Sequence, residues 1–152
     1  SGGTARSMQV AIKPAKPLAF GVLQPSTTPI FGLPGNPVSA LVSYEVFVRP
    51  ALRSMAGYTV LDRPRFAAVA VGDLPRSRDG KLHLMRVTAR ASADGLLQVR
   101  MSGVQGSHML RAMAQSNALA LLPDGDGIRS GGRVEVILLD TDRLSAAPEA
   151  LW

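Results

Sequence analysis

Two short stretches hold residues whose types and spacing suit the gripping of a compact anion. The first, Lys13-Pro14-Ala15-Lys16-Pro17, sets two lysines three positions apart beside two prolines. Each proline fixes its own φ, restricts the residue before it and removes a backbone N–H. The lysines therefore project from a stiff scaffold, and lysine serves either as an anion-binding point charge or as a solvated head. An anion grip and a plain basic turn both fit these residues. The second stretch, Gly32-Leu33-Pro34-Gly35-Asn36-Pro37-Val38-Ser39, is a glycine turn that runs into a helical pattern. Such a mouth presents backbone N–H groups and the positive end of a helix dipole. Ser39 adds a hydroxyl in the first turn. At the carboxyl end of a strand this is where α/β sheets hold ligands. Without a ligand the same residues make a well-capped helix.

Other features carry less chemistry. His83 and His108 stand apart and have no cysteine companions, which argues against a transition-metal site. Asp124-Gly125-Asp126-Gly127 resembles half a calcium loop but reads as a turn. Neither a Walker motif nor a Gly-x-Ser-x-Gly elbow occurs. Met109, Leu110 and Met113, at helical spacing, are expected in a core.

The formal net charge is +6, from 17 Lys and Arg against 11 Asp and Glu. Before Asp62 the only carboxylate is Glu45, set against Arg6, Lys13, Lys16, Arg49 and Arg53. Such a surplus draws anionic partners. The bases are scattered and aromatics are only 5%, whereas nucleic-acid binders cluster Lys and Arg among aromatics. Small oxyanions or phosphorylated molecules are therefore the expected partners, and nucleic acid is not. Cysteine is absent, so disulfides and thiolate metal sites are excluded. No apolar run approaches the roughly 20 residues that cross a bilayer, so no membrane partner is expected. Ser1–Arg6 lacks the apolar stretch of a secretory signal, and the cytoplasm is the expected location.

The elements that must position these residues are short. Apolar runs at 7–12 and 18–23 read as strands, with 30–33 a third. They are more continuous than alternating, as strands buried on both faces of a parallel sheet are. From Val38 to Arg53 the apolar residues follow the three-and-four spacing of a helix. Asn36 suits the N-cap, Pro37 the first turn and Gly57 the stop. Pro50 lies inside the pattern, so the helix kinks or restarts there. The composition changes at Asp62-Arg63-Pro64. Beyond it, β-like runs at 66–72, 82–89, 96–100, 118–122 and 133–138 are separated by turns such as Ala93-Asp94-Gly95. Residues 106–116 read as a short helix or an irregular excursion. The expected fold is an α/β fragment over 1–61, the end of a parallel sheet with its helix, followed by a small all-β barrel-like domain over 62–152. Three strands and one helix cannot cover both faces of a parallel sheet, so a longer parent protein is expected.

Lys13-Pro14-Ala15-Lys16-Pro17-Leu18-Ala19-Phe20-Gly21 closely resembles a signature of the MoeA family, which includes the E domain of gephyrin. Phe31-Gly32-Leu33-Pro34-Gly35-Asn36-Pro37-Val38-Ser39-Ala40-Leu41-Val42 resembles a second, continuing through Phe47-Val48-Arg49-Pro50-Ala51-Leu52. A weaker match follows at Gly106-Ser107 and 113–123. The resemblance implies a molybdopterin molybdenumtransferase, which inserts molybdate into adenylylated molybdopterin and releases AMP with magnesium assistance. It also implies a MogA-like α/β domain, a C-terminal β domain and a homodimer whose cleft lies between them across subunits.

Carried over by position, Lys13, Lys16 and Pro17 would line an oxyanion pocket to which Ser39 adds its hydroxyl. Arg86 and Ser107 would join from the β domain, and Pro34, Gly35, Asn36 and Pro37 would form the loop facing molybdopterin and its phosphate. Fixed cations with added donors are what a doubly charged tetrahedral anion requires. The chain departs from the family at Ala15, where glycine is usual. It also departs in the absence of the upstream Ser-Gly-Gly loop and of the acidic residues for magnesium and catalysis. Ser1-Gly2-Gly3 reads as a junction rather than that loop, since Thr4-Ala5-Arg6 does not continue it. No metal site is expected in this chain, and alone it is expected to be inactive. A scaffold or interaction module on the same fold is the alternative.

Overall fold

The computed structural model describes residues 4–15, 17–102 and 116–144. The chain divides into two compact units, Ser1–Asp62 and Arg63–Trp152. In the first, β1 (Thr4–Gln9) and the two-residue β2 (Ile12–Lys13) precede β3 (Pro17–Leu23) and β4 (Thr28–Gly32). Strands β1, β3 and β4 form a sheet in the order β1-β3-β4.

The apolar runs predict a parallel layer, but both pairings are antiparallel. The turn from β3 to β4 explains this. It holds only Gln24-Pro25-Ser26-Thr27, with Thr27 in the left-handed region at φ 56°. A chain reversed in four residues returns antiparallel, because a parallel neighbour needs a crossover of about a dozen residues. The continuous runs reflect apolar side chains on both faces. Phe20 lies opposite Phe31 on one face, with ring centroids 5.1 Å apart. On the other, Ile30 lies opposite Gly21, next to Leu23 along the strand. At Gly32 a Cβ would lie 2.9 Å from Ala19 Cβ, so the close approach of β3 and β4 admits only glycine there.

One α/β feature is present, the helix after β4. It begins at Pro37, runs as α1 (Pro37–Ser43), widens to a π-turn over Tyr44–Val48 and continues as α2 (Arg49–Met55). Pro50 is the reason for the π-turn's position. It has no N–H, and its ring would strike the carbonyl four residues back in a regular helix. The wider turn, closed by Arg49 N–H donating to Tyr44 O, relieves that crowding. Gly57, at φ 81°, ends the helix, and Tyr58 N–H donates to Arg53 O at 3.0 Å. Arg53 also stacks over the Tyr58 ring at 4.0 Å and donates to Val60 O, while Arg49 donates to Leu61 O.

The second unit is a small closed barrel. Its strands are β5 (Arg65–Ala70), β6 (Leu82–Ala91), β7 (Leu97–Met101), β8 (Ala118–Leu122) and β9 (Arg133–Leu138). Around the ring they run β6-β7-β5-β9-β8, and β8 pairs with β6 to close it. Only β5 and β7 are parallel. The expected all-β barrel-like domain is thus present. Inward side chains such as Val87, Val99, Leu122 and Val136 are fully buried. Strand β9 shows plain alternation, with Val134, Val136 and Leu138 inward and Arg133 and Glu135 outward. Strand β6 does not, because its outward Leu84, Arg86 and Thr88 are buried as well.

Candidate anion-binding site

In the first unit the register places the two motif turns at one end of the sheet. Ala19 lies opposite Gly32, so the start of β3 is beside the end of β4. The turn that enters β3 at Pro17 and the turn that leaves β4 towards Pro34 therefore emerge together. Lys13 and Pro17 are exposed and Ser39 is half-buried. Ala15, between the lysines, is buried and sits at φ 97°, a conformation that favours glycine. Lys16 lies outside the described residues.

The mouth of α1 is tied up by its own cap. Asn36, with φ −72° and ψ 123°, uses Oδ1 to accept from Val38 N–H at 3.0 Å and Ser39 N–H at 3.3 Å. Pro37 has no N–H, and Ala40 N–H donates to Asn36 O. The backbone donors that the sequence offers to an anion are thus spent on Asn36 from the second helical residue on. The side-chain hydroxyl of Ser39 and the bare backbone of Gly35 remain. Gly35 needs its missing side chain for no local reason, since its φ is not left-handed and a Cβ there would meet nothing within 4 Å. A glycine without a structural need leaves room for close approach of a ligand.

In the second unit Arg86 lies on β6 opposite Leu119 of β8 and is 7% exposed. Burial pulls its guanidinium below its ordinary value, so the charged form is held partly out of water, where an anion is attracted more strongly. Arg86 O accepts from Ser102 N–H at 3.3 Å, and Thr88 Oγ1 lies 2.8 Å from Ser102 Oγ. These two buried hydroxyls escape sequence reading, because only the β6–β7 register brings them together. Asn117 clamps the same strand, accepting from Ala89 N–H and donating to Ala89 O. Ser107, His108, Met109, Leu110 and Met113 lie outside the described residues.

The features set aside in the sequence have structural employment. His83 Nε2 is 3.0 Å from both oxygens of Asp79, whose Oδ1 also accepts from Arg76. Arg76, with a fully buried side chain, donates to Leu122 O and Asp124 as well. Arg78 pairs with Asp126 at 2.7 Å. The 124–127 turn is therefore held by arginines, and Gly127 is required because a Cβ would run into Leu74 O. Magnesium fits poorly. The described residues hold no group of three His, Cys, Asp or Glu placed to bind a metal, and Glu45 lies 3.9 Å from Arg49.

Comparison with known proteins points to one family. Residues 69–139 match the model of the MoeA C-terminal region (domain IV). The chain is 35% identical over 136 residues to "Molybdopterin molybdenumtransferase" of Haemophilus influenzae, covering 89% of this chain and 33% of that protein. It is 40% identical over 117 residues to "Molybdopterin molybdenumtransferase 2" of Mycobacterium tuberculosis, covering 77% and 27%. A crystal structure of the molybdopterin biosynthesis moeA protein from Pyrococcus horikoshii superposes with a TM-score of 0.64 at 26% identity, over 86% of this chain and 31% of that one. The chain spans about a third of the length of the relatives it matches. It belongs to the MoeA family and corresponds to that family's C-terminal portion.

Proposed function

We propose that this chain supplies the oxyanion-gripping part of a molybdopterin molybdenumtransferase, acting in molybdenum cofactor biosynthesis on molybdate and adenylylated molybdopterin. The observation that carries the reading is the emergence of the Lys13–Pro17 and Gly32–Ser39 turns at one end of the β3–β4 pair. Lys13 and Lys16 supply point charges, Ser39 donates its hydroxyl, and Pro17 stiffens the entry to β3. The Pro34-Gly35-Asn36-Pro37 loop lets the phosphate-bearing substrate approach backbone at Gly35. Arg86 and Ser107 of the β domain are further proposed anion-binding residues, and a guanidinium offers an anion two parallel N–H donors. The parent enzyme works as a cytoplasmic homodimer, and its magnesium and catalytic carboxylates come from residues outside this chain. By itself the chain binds molybdate weakly and does not turn over.

Isothermal titration of molybdate tests the site. Binding to the 152-residue chain is expected to weaken about tenfold in Lys13→Ala, the effect of losing one charged hydrogen bond. Ser39→Ala and Gly35→Ala should weaken it too, the latter with stability unchanged. Binding indifferent to all three would end the assignment.

A further inference from the structure

The two motif turns leave the β3–β4 pair beside its last cross-strand pair, Ala19 opposite Gly32. Pro17 is two residues before Ala19, and Leu33 follows Gly32 at once. At the far end, beyond Leu23 opposite Thr28, the four-residue turn 24–27 closes the pair. The strands thus form a fork, fixed at one end and carrying both motif turns at the other. Directly opposed residues of an antiparallel pair ordinarily hold their Cβ atoms about 4.5–5.5 Å apart. A Cβ on Gly32 would lie 2.9 Å from Ala19 Cβ, so the open end of the fork leaves no room for two side chains. The next nearest atoms, Ala19 Cα and O, would be 3.8 Å away, an ordinary contact. Gly32 does not have a left-handed φ. Glycine is therefore needed at 32 only because a methyl already stands at 19.

We propose that Ala19 and Gly32 are a spacer pair, whose single methyl sets the gap between the Lys13–Pro17 turn and the Leu33–Ser39 turn. Both are then positioning residues for the anion. The inference rests on the molybdate reading for what the gap holds, not for what sets it. Neither side chain offers a charge or a donor. Their part is to hold the lysine turn and the Ser39 mouth at one separation. A second methyl would have to open the fork by roughly 0.5–1 Å before the two carbons reached their ordinary contact of about 3.5–4.0 Å. That opening falls at the end that carries the site, and a misplacement of about 1 Å is enough to disable a site that depends on geometry.

Molybdate titration and amide NMR of the 152-residue chain test this with a swap. Gly32→Ala is expected to weaken molybdate binding at least about tenfold. It should also shift the amide signals of Lys13, Ala15 and Ser39 while those of Ser26 and Thr27, at the closed end, stay in place. The double variant Ala19→Gly, Gly32→Ala moves the one methyl to the other strand. It is expected to return those signals to their places and the affinity to within about twofold of the parent, a strong coupling between neighbours. A double variant as impaired as the single overturns the proposal, since glycine would then be needed at 32 for its own sake. If Gly32→Ala fails to fold, the double variant carries the test, and recovery of both fold and affinity is the expected result. Lys13 and Ala15 amides that ignore Gly32→Ala also overturn the proposal. Molybdate binding that responds to Lys13→Ala but not to Gly32→Ala overturns this proposal only. Amide signals that follow the swap, with molybdate binding indifferent to both Lys13→Ala and Gly32→Ala, overturn only the molybdate reading.

Discussion

Ala15 shows how a single backbone angle limits what a motif can hold. At φ 97° an L-residue with a Cβ is strained, at a cost of roughly 1–3 kcal/mol. Replacing Ala15 by glycine removes that strain. It also frees the unfolded chain, which costs about 0.4–1 kcal/mol, and gives up a buried methyl, about 0.8 kcal/mol. The two sides nearly cancel. Ala15→Gly is therefore expected to leave the urea midpoint almost unchanged. Ala120→Gly, at a fully buried β8 position with no strain to relieve, should cost more than about 1 kcal/mol. Equal losses in the two variants would show that Ala15 is relaxed. Gly35 is the opposite case, a glycine that the local structure does not require, and this is why its replacement is read through ligand binding rather than stability.

At the scale of elements, local features were legible and pairings were not. Asn36, Pro37 and Gly57 announce a helix start and stop because their chemistry acts within one turn. The Asn36 cap should cost about 1 kcal/mol on Asn36→Ala and much less on Asn36→Ser, as judged by chemical unfolding. No difference between the two would mean that the Oδ1 bonds to Val38 and Ser39 contribute nothing. The continuous apolar runs of β3 and β4 suggest a parallel layer but do not establish one, because continuity reports apolar residues on both faces, not strand direction. The four-residue turn decides direction, and it was already visible at 24–27. Pro50 announces a disturbed helix, but its remedy, a π-turn on its N-terminal side, depends on the geometry of the preceding carbonyls. The Thr88–Ser102 pair is invisible for a different reason. Side chains 14 residues apart meet only once the β6–β7 register is set, and alternation along one strand does not give a register.

For the whole molecule, charge sets the response to acid. Asp73 accepts from Ser130 N–H at 2.9 Å and from Arg129 at 3.0 Å. These bonds, the backbone one foremost, hold its carboxyl below the ordinary 3.8. The Arg78 guanidinium does the same for Asp126, and the Leu96 N–H for Asp94. A carboxylate whose folded value is depressed contributes stability that is present above its unfolded value and is lost as pH falls towards the folded one. The loss should therefore begin near pH 4 and deepen below it. All three groups are at the surface, so each contribution is small and screened. The larger effect is collective, since protonating the 11 carboxylates leaves 17 Lys and Arg and two His unopposed, and self-repulsion then favours expansion. The urea midpoint is expected to stay level from pH 7 to 5 and to fall steeply below 4, with added salt restoring part of it. The Asp73→Asn, Asp126→Asn double variant should be less stable than the parent at pH 7, with the gap narrowing as the pH falls below 4. A gap that stays constant from pH 7 into that range would mean that the two side chains stabilise the barrel through packing rather than through their charge.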